Sequence, residues 1–117
     1  MDLKLQQKLQ QKLFTKLCLD MGCPAPIPEF KFHEKRKWRI DYYFENERQK
    51  VGLEVQGGLF MHQGKGGRHN RATGYLKDME KSNAMAMSGI FLLQVTPQNL
   101  LKKTTVEMIK AVLFCVT

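Results

Sequence analysis

The stretch WRIDYYFENERQKVGLEVQ, residues 38–56, decides the fold, because it contains two strand patterns joined by a short polar loop. Successive side chains of a strand point to opposite faces of the sheet. In the first strand one face is apolar and consists of Trp38, Ile40, Tyr42 and Phe44, which leaves Arg39, Asp41 and Tyr43 on the other. In the second strand Val51, Leu53 and Val55 point inward, and Glu54 and Gln56 share the opposite face. Residues 45–50 are polar and short enough for a hairpin loop.

Asp41 and Glu54 become neighbours if these two strands pair antiparallel. Two carboxylates side by side repel each other unless a cation or a proton lies between them. The pattern therefore favours a site for a hard divalent metal such as Mg²⁺. The alternative from spacing alone is that both acids are solvated on an exposed sheet face.

Composition points to a single basic domain. The 117 residues include 19 Lys and Arg against 11 Asp and Glu, for a formal charge of +8, and the isoelectric point is near 9.6. Such an excess favours polyanionic partners, with nucleic acid ahead of an anionic membrane surface. No apolar run is long enough to span a bilayer, and the N-terminus lacks the apolar core of a signal peptide, so we expect a cytoplasmic protein. The odd set Cys18, Cys23 and Cys115 indicates neither a disulfide framework nor a zinc site.

The flanking segments predict helices around the strands. Leu5, Leu9, Leu13 and Leu17 recur every four residues and predict an amphipathic helix over residues 1–20. Residues 21–28 contain three prolines and predict an extended linker, after which a first strand begins at Glu29. Residues 57–74 form a loop rich in glycine and basic residues. Thr73 is expected to cap a helix over residues 74–88.

The last part of the chain completes an α/β (mixed α+β) fold. Residues 90–95 are apolar throughout, which predicts a central strand that is parallel to the preceding one because a helical crossover joins them. Pro97 begins a C-terminal helix, assigned to residues 98–117, and residues 29–97 form the core of one domain spanning 1–117. The order α-β-β-β-α-β-α implies a mixed four-stranded sheet flanked by helices.

These residues resemble the PD-(D/E)XK nuclease superfamily, whose restriction-endonuclease-like core has the order α-β-β-β-α-β. The stretch from Trp38 to Pro97 is most similar to small phage and bacterial endonuclease-like proteins related to very-short-patch repair endonucleases and Holliday-junction resolvases. The matching pieces, in order, are Trp38-Arg39-Ile40-Asp41, Glu54-Val55-Gln56-Gly57-Gly58, Gly67-Arg68-His69, Gly74-Tyr75 with Asp78, Glu80, Lys81 and Asn83, and finally Gly89. Two positions depart from the family pattern: Gln56 stands where Lys is usual, and Ile40 where Pro is common.

The resemblance implies a DNA endonuclease that depends on Mg²⁺ or Mn²⁺ and acts in phage or bacterial DNA processing, repair or recombination. It implies metal ligation by Asp41, Glu54 and the carbonyl of Val55. Gln56 would orient the attacking water or bind a phosphate oxygen. His69 would donate a proton to the leaving group or contact phosphate.

The basic residues expected to contact DNA are Arg39, Lys65, Arg68, His69, Arg71 and Lys81. Lys81 lies three residues after Asp78 on a predicted helix, which favours an ion pair between them, but it could instead reach the phosphate and replace the missing motif Lys. Glu29 is either an additional acidic ligand or a solvated charge at the strand edge. A homodimer is compatible with the apolar stripe of the first helix. The alternatives to a nuclease are an inactive basic DNA-binding module and an adaptor.

Overall fold

The computed structural model describes residues 2–57 and 68–115 and contains eight elements of secondary structure. The elements are α1 (Leu3–Asp20), β1 (Ile27–Lys31), β2 (Arg39–Glu45), β3 (Lys50–Val55), α2 (Arg68–Met87), β4 (Ile90–Val95), α3 (Pro97–Leu100) and α4 (Lys103–Leu113). The strands form one sheet in the order β1-β2-β3-β4. β1–β2 and β2–β3 are antiparallel, whereas β3–β4 is parallel. The predicted four-stranded mixed sheet and its parallel fourth strand are confirmed.

One face of the sheet packs against α1 and α4 around an aromatic centre. Phe14 of α1 meets Tyr42 of β2 edge to face, with ring centroids 4.6 Å apart. Val51 and Leu53 of β3 join the same core, together with Ile109 of α4. The inward direction predicted for Val51 and Leu53 is therefore confirmed.

The opposite face of the sheet packs against α2 and depends on a glycine. Met85 of α2 lies in a second core with Ile40 and Ile90. A Cβ atom added at Gly52 of β3 would lie 2.7 Å from Met85 Cε and 3.1 Å from Ile40 Cγ2. A side chain at this position would force Met85 and its neighbours to shift, so the glycine allows α2 its close approach to the sheet.

The face of α1 that packs differs from the leucine stripe in the sequence. Phe14 and Cys18 are the fully buried residues of α1, whereas Leu9 and Leu13 are each 47% exposed. A repeat of four residues advances by about 40° per step around a helix of 3.6 residues per turn, so the leucines wrap around α1. Only the C-terminal end of the stripe, at Leu17, packs against the core.

None of the described helices is both long and apolar enough to cross a bilayer.

Three predicted boundaries are wrong. β1 begins at Ile27, inside the expected linker, and it tolerates Pro28 because it is an edge strand. α2 begins at Arg68 rather than residue 74, so Thr73 lies within the helix and is not its N-cap. No proline occurs in residues 68–74, and Gly74 costs only about 1 kcal/mol relative to alanine in a helix.

The third wrong boundary concerns the C-terminal helix, which is divided into α3 and α4 by a corner at Leu101 and Lys102. The Thr105 hydroxyl donates a hydrogen bond to the Asn99 carbonyl across this corner at 2.6 Å. The corner buries Leu100 and leaves Leu101 exposed.

Cys18 and Cys23 are buried free thiols, and Cys115 is an exposed one.

Candidate active site

The alternation of β2 is broken at Asp41. Tyr42 and Phe44 belong to the core under α1 and α4, while Ile40 and Tyr43 both belong to the core under α2. Residues 40 and 43 would lie on opposite faces of a regular strand. The apolar face predicted for Ile40 together with Tyr42 is therefore wrong, and the irregularity lies where the candidate ligand occurs.

Asp41 uses its side chain to hold the neighbouring strand. The last pair recorded in the β2–β3 ladder is Tyr42 with Leu53, which places Asp41 next to Glu54. Beyond that pair the Asp41 Oδ2 atom accepts a hydrogen bond from the Val55 N–H at 2.8 Å. The Asp41 carboxylate thus serves as the hydrogen-bond acceptor for a backbone N–H at the end of β3, and it also lies within hydrogen-bonding reach of Glu54.

Glu54 is a buried acid beside another acid. Its side chain is 12% exposed. Burial, together with the charge of Asp41 and against the attraction of the Lys81 ammonium, raises the pKa of Glu54 to about 7. A buried carboxylate next to a like charge favours either a bound proton or a nearby cation.

Among the side chains that the structure describes, Lys81 is the cation that contacts Glu54. Its Nζ atom donates to Glu54 Oε1, and its side chain is 22% exposed. Lys81 therefore pairs across the fold with the acidic site rather than with Asp78 within the helix. α2 is held over the sheet one turn later by Met85 at Gly52, and by an ion pair between Glu80 and Arg36 of the β1–β2 loop, with N and O atoms 3.2 Å apart.

Gln56 follows directly after β3 and is exposed. Its backbone N–H donates to the Val95 carbonyl at 2.7 Å, which extends the link to β4 by one residue. Gly57 then passes close to the first turn of α3, where an added Cβ atom would lie 3.0 Å from Pro97 Cγ. The backbone that carries Gln56 is thus fixed between β4 and α3.

Glu54, Gln56 and Lys81 line a groove between the sheet and α2, which we call the Glu54 groove. It has a volume of about 560 Å³, and its polar lining includes Glu54, Gln56, Asp78, Lys81 and Gln94. Gln94 was not identified from the sequence as a site residue. It is paired with Glu54 in the parallel register, and it is the one polar residue in the strand Ile90–Val95. A single polar residue in an otherwise apolar strand is the sequence feature that could have identified Gln94 as a site residue.

Other predicted site residues lie elsewhere or outside the described part of the chain. The Glu29 carboxylate accepts a hydrogen bond at 2.8 Å from the Gln7 amide of α1, and Glu29 has a left-handed backbone with φ of 52°. Arg39 is exposed at the first residue of β2. Arg68, His69 and Arg71 belong to the first turns of α2, but their side chains are outside the description, and Lys65 and Gly58 lie outside the described residues altogether.

The donor set fits a metal that takes few protein ligands. Within residues 2–57 and 68–115 there is no group of three or more His, Cys, Asp or Glu side chains able to hold a metal. Two carboxylates and the Val55 carbonyl remain, and Mg²⁺ is commonly bound by one or two carboxylates with water and substrate phosphate completing its shell.

We compared the chain with protein-family models, curated proteins and solved structures, and none of them gave a significant match.

Proposed function

We propose that this protein is a metal-dependent DNA endonuclease that hydrolyses phosphodiester bonds in phage or bacterial DNA processing. The observation that carries the proposal is the placement of buried Glu54 beside Asp41, on neighbouring strands and with Lys81 against it. A protein that only attracts DNA by charge would bind more tightly without two acids near the phosphate. The formal charge of +8 supports a polyanionic substrate.

Asp41, Glu54 and the Val55 carbonyl would hold Mg²⁺ or Mn²⁺. The Val55 carbonyl accepts a hydrogen bond from the Gly57 N–H at 3.1 Å, and a carbonyl oxygen has a second lone pair. When bound, the ion would supply Lewis-acid stabilisation of the phosphate and a more acidic water.

The protein residues around this position have separate tasks. Asp41 fixes the end of β3 through the Val55 N–H, and so it sets the position of Glu54. Lys81 would supply the positive charge that the family motif has in a Lys at the position of Gln56, since Lys81 and Gln56 line the same groove. The exposed Gln56 amide can donate to a phosphate oxygen or orient a water, but it cannot accept a proton at neutral pH.

The test is cleavage of supercoiled plasmid and branched DNA with Mg²⁺, Mn²⁺ or EDTA. Asp41→Asn and Glu54→Gln should each abolish cleavage, while Glu47→Gln, an exposed acid in the β2–β3 loop, should cleave like the wild-type protein. Calorimetric titration with Mn²⁺ gives a second readout, because both site variants should lose binding heat that Glu47→Gln retains. Cleavage that persists in EDTA or in both site variants would overturn the proposal.

A separate experiment tests whether Lys81 or Gln56 takes the role of the motif Lys. Lys81→Met removes the charge but keeps a similar length, and Gln56→Ala removes the amide. If Lys81 replaces the motif Lys, Lys81→Met should lower the cleavage rate at saturating DNA more than Gln56→Ala does. Unchanged cleavage by Lys81→Met with complete loss in Gln56→Ala would assign the role to Gln56.

A DNA-binding module without catalysis is the second candidate. It is favoured by the contact of Lys81 with Glu54, since an ammonium group already neutralises one carboxylate of the site. Such a module would shift DNA in a gel equally in EDTA and Mg²⁺. It would show no cleavage of any substrate, and Asp41→Asn and Glu54→Gln would leave its affinity unchanged or higher.

A further inference from the structure

A second groove opens at the carboxyl ends of β3 and β4, on the side of α3 and α4. We call it the Lys102 groove. It has a volume of about 530 Å³, and its lining includes Gln56, Gln94, Asn99, Lys102, Thr104 and Met108. This volume lies within the range of ligand-binding clefts in proteins.

The two grooves meet. Gln56 and Gln94 line both the Glu54 groove and the Lys102 groove. Gln56 follows the end of β3, and Gln94 is the next-to-last residue of β4. A continuous path therefore runs from Glu54 to Lys102, past the side-chain amides of Gln56 and Gln94 at the carboxyl ends of β3 and β4.

The chemistry of the Lys102 groove suits a polyanion better than the Glu54 groove does. Its described lining includes a Lys ammonium, three side-chain amides and threonine hydroxyls, and none of its lining residues is acidic. The Glu54 groove, in contrast, contains Glu54 and Asp78. Amides, hydroxyls and Lys are the groups with which proteins hold the DNA backbone.

We infer that the Lys102 groove binds the DNA strand on one side of the scissile phosphate, with Lys102 contacting a backbone phosphate. The inference rests on the proposed function, since the path starts at the phosphate held beside Glu54. Gln56 and Gln94 then lie under the strand where it passes from one groove to the other. The Asn99 amide and the Thr104 hydroxyl donate to the backbone beside Lys102.

Two pairs of matched variants test the groove. Lys102→Ala is compared with Lys103→Ala, because Lys103 is the adjacent exposed cation and is not part of the lining. Thr104→Glu is compared with Thr104→Gln, which has the same size without the charge. Thr104 is exposed in the first turn of α4, where an acidic side chain favours the helix, so Thr104→Glu should fold.

The measurement is fluorescence anisotropy of a labelled DNA duplex with the 117-residue chain in EDTA, at several salt concentrations. Lys102→Ala should weaken binding by about fivefold for every DNA sequence and reduce the salt slope by about 1. Lys103→Ala should leave both values close to those of the wild-type protein. Thr104→Glu should weaken binding more than Thr104→Gln, because the added carboxylate repels phosphate. Thermal unfolding of each variant verifies folding.

Two of the three outcomes separate the inference from the proposed function. If the wild-type protein cleaves DNA but Lys102→Ala binds like Lys103→Ala, the groove assignment is overturned and the nuclease proposal stands. If Lys102→Ala shows the expected loss but no metal supports cleavage, the contact of the groove with the DNA backbone stands, and the nuclease proposal fails together with the position of the groove beside a scissile phosphate. A wild-type protein that does not bind DNA overturns both.

Discussion

The Oδ2 atom of Asp41 accepts the backbone N–H of Val55 at 2.8 Å, so a candidate metal ligand also holds the end of the strand that carries the second ligand. Asp41→Ala would leave this partly buried N–H without its partner. We expect the free energy of unfolding to fall by about 1–3 kcal/mol in Asp41→Ala. Asp41→Asn, whose amide oxygen can still accept the bond, should lose less. Urea unfolding measures both, and equal stability of Asp41→Ala and the wild-type protein would contradict this role.

The pKa of Glu54 should respond in opposite directions to its two charged neighbours. Asp41→Asn removes a negative charge and should lower the pKa of Glu54 below about 7, whereas Lys81→Met removes a positive charge and should raise it. Carboxyl carbon NMR of the metal-free protein in EDTA measures each titration, and Glu47→Gln serves as the control variant. Shifts of the same sign in both site variants would contradict the arrangement.

Stability of the metal-free protein should depend on Glu54 between pH 4.5 and 7. The pKa of Glu54 is raised from 4.5 to about 7, so within this window the folded state keeps a proton that the unfolded chain releases. The stabilising contribution is present below pH 4.5 and is lost as the pH rises through 7. The loss amounts to about 3 kcal/mol.

The check on this pH dependence is Glu54→Gln. The Gln side chain is neutral at every pH in this range and does not titrate. As the pH rises, the wild-type protein should therefore lose stability relative to the variant. Denaturant unfolding at intervals from pH 4 to pH 8, in EDTA, gives that difference directly. A difference that is constant across the range would show that Glu54 titrates near its ordinary value.

The close approach of α2 at Gly52 should make Gly52→Ala destabilising, although alanine normally suits a strand better than glycine. The added methyl group meets Met85 Cε, Ile40 Cγ2 and Ile90 Cγ2 at 2.7, 3.1 and 3.2 Å, which predicts a loss of about 1–3 kcal/mol. Met85→Ala makes room, so the double variant should lose less than the sum of the two single losses, by about 0.5 kcal/mol or more. Additive losses would show that Met85 does not limit the space at Gly52.

The exposed leucines of α1 should contribute little to stability. Leu9→Gln and Leu13→Gln replace side chains that are each 47% exposed, so we expect changes within about 0.5 kcal/mol. Phe14→Ala empties a fully buried position against Tyr42 and should lose about 3–5 kcal/mol. Thermal and denaturant unfolding compare the three variants. A large loss in Leu9→Gln or Leu13→Gln would indicate that this side of α1 is covered in solution.

The sheet was predictable because its signals are local. A period of two marked β2 and β3, and the continuous apolar run marked β4, whose parallel direction follows from the crossover. The face of α1 was not predictable in the same way, because a spacing of four fits several neighbouring faces of a helix. The shape of the sheet decides between them, since Tyr42 accepts Phe14 and leaves Leu9 outside.

Part of the candidate site was predictable from the sequence, but its contacts and the presence of Gln94 were not. Asp41 and Glu54 follow from strand periodicity and antiparallel pairing. The break in alternation at Asp41 depends on a hydrogen bond to a residue fourteen positions later, which no local pattern contains. Lys81 reaches Glu54 from α2, which packs closely on the sheet at Gly52. The periodicity of α2 alone contains no sign of this packing and favours Asp78 as the partner.

The parallel pairing of β3 with β4 has a consequence for the order of folding. Antiparallel neighbours such as β2 and β3 are joined by short connections, whereas β3 and β4 meet only after the intervening chain, with α2, has closed into a crossover. Pairing between distant segments is slower to form than pairing between adjacent ones. We therefore expect the β1–β2–β3 meander to form first. Lys81 and Gln94 would reach Glu54 late, so the contacts of the candidate site should form in the final phase of refolding.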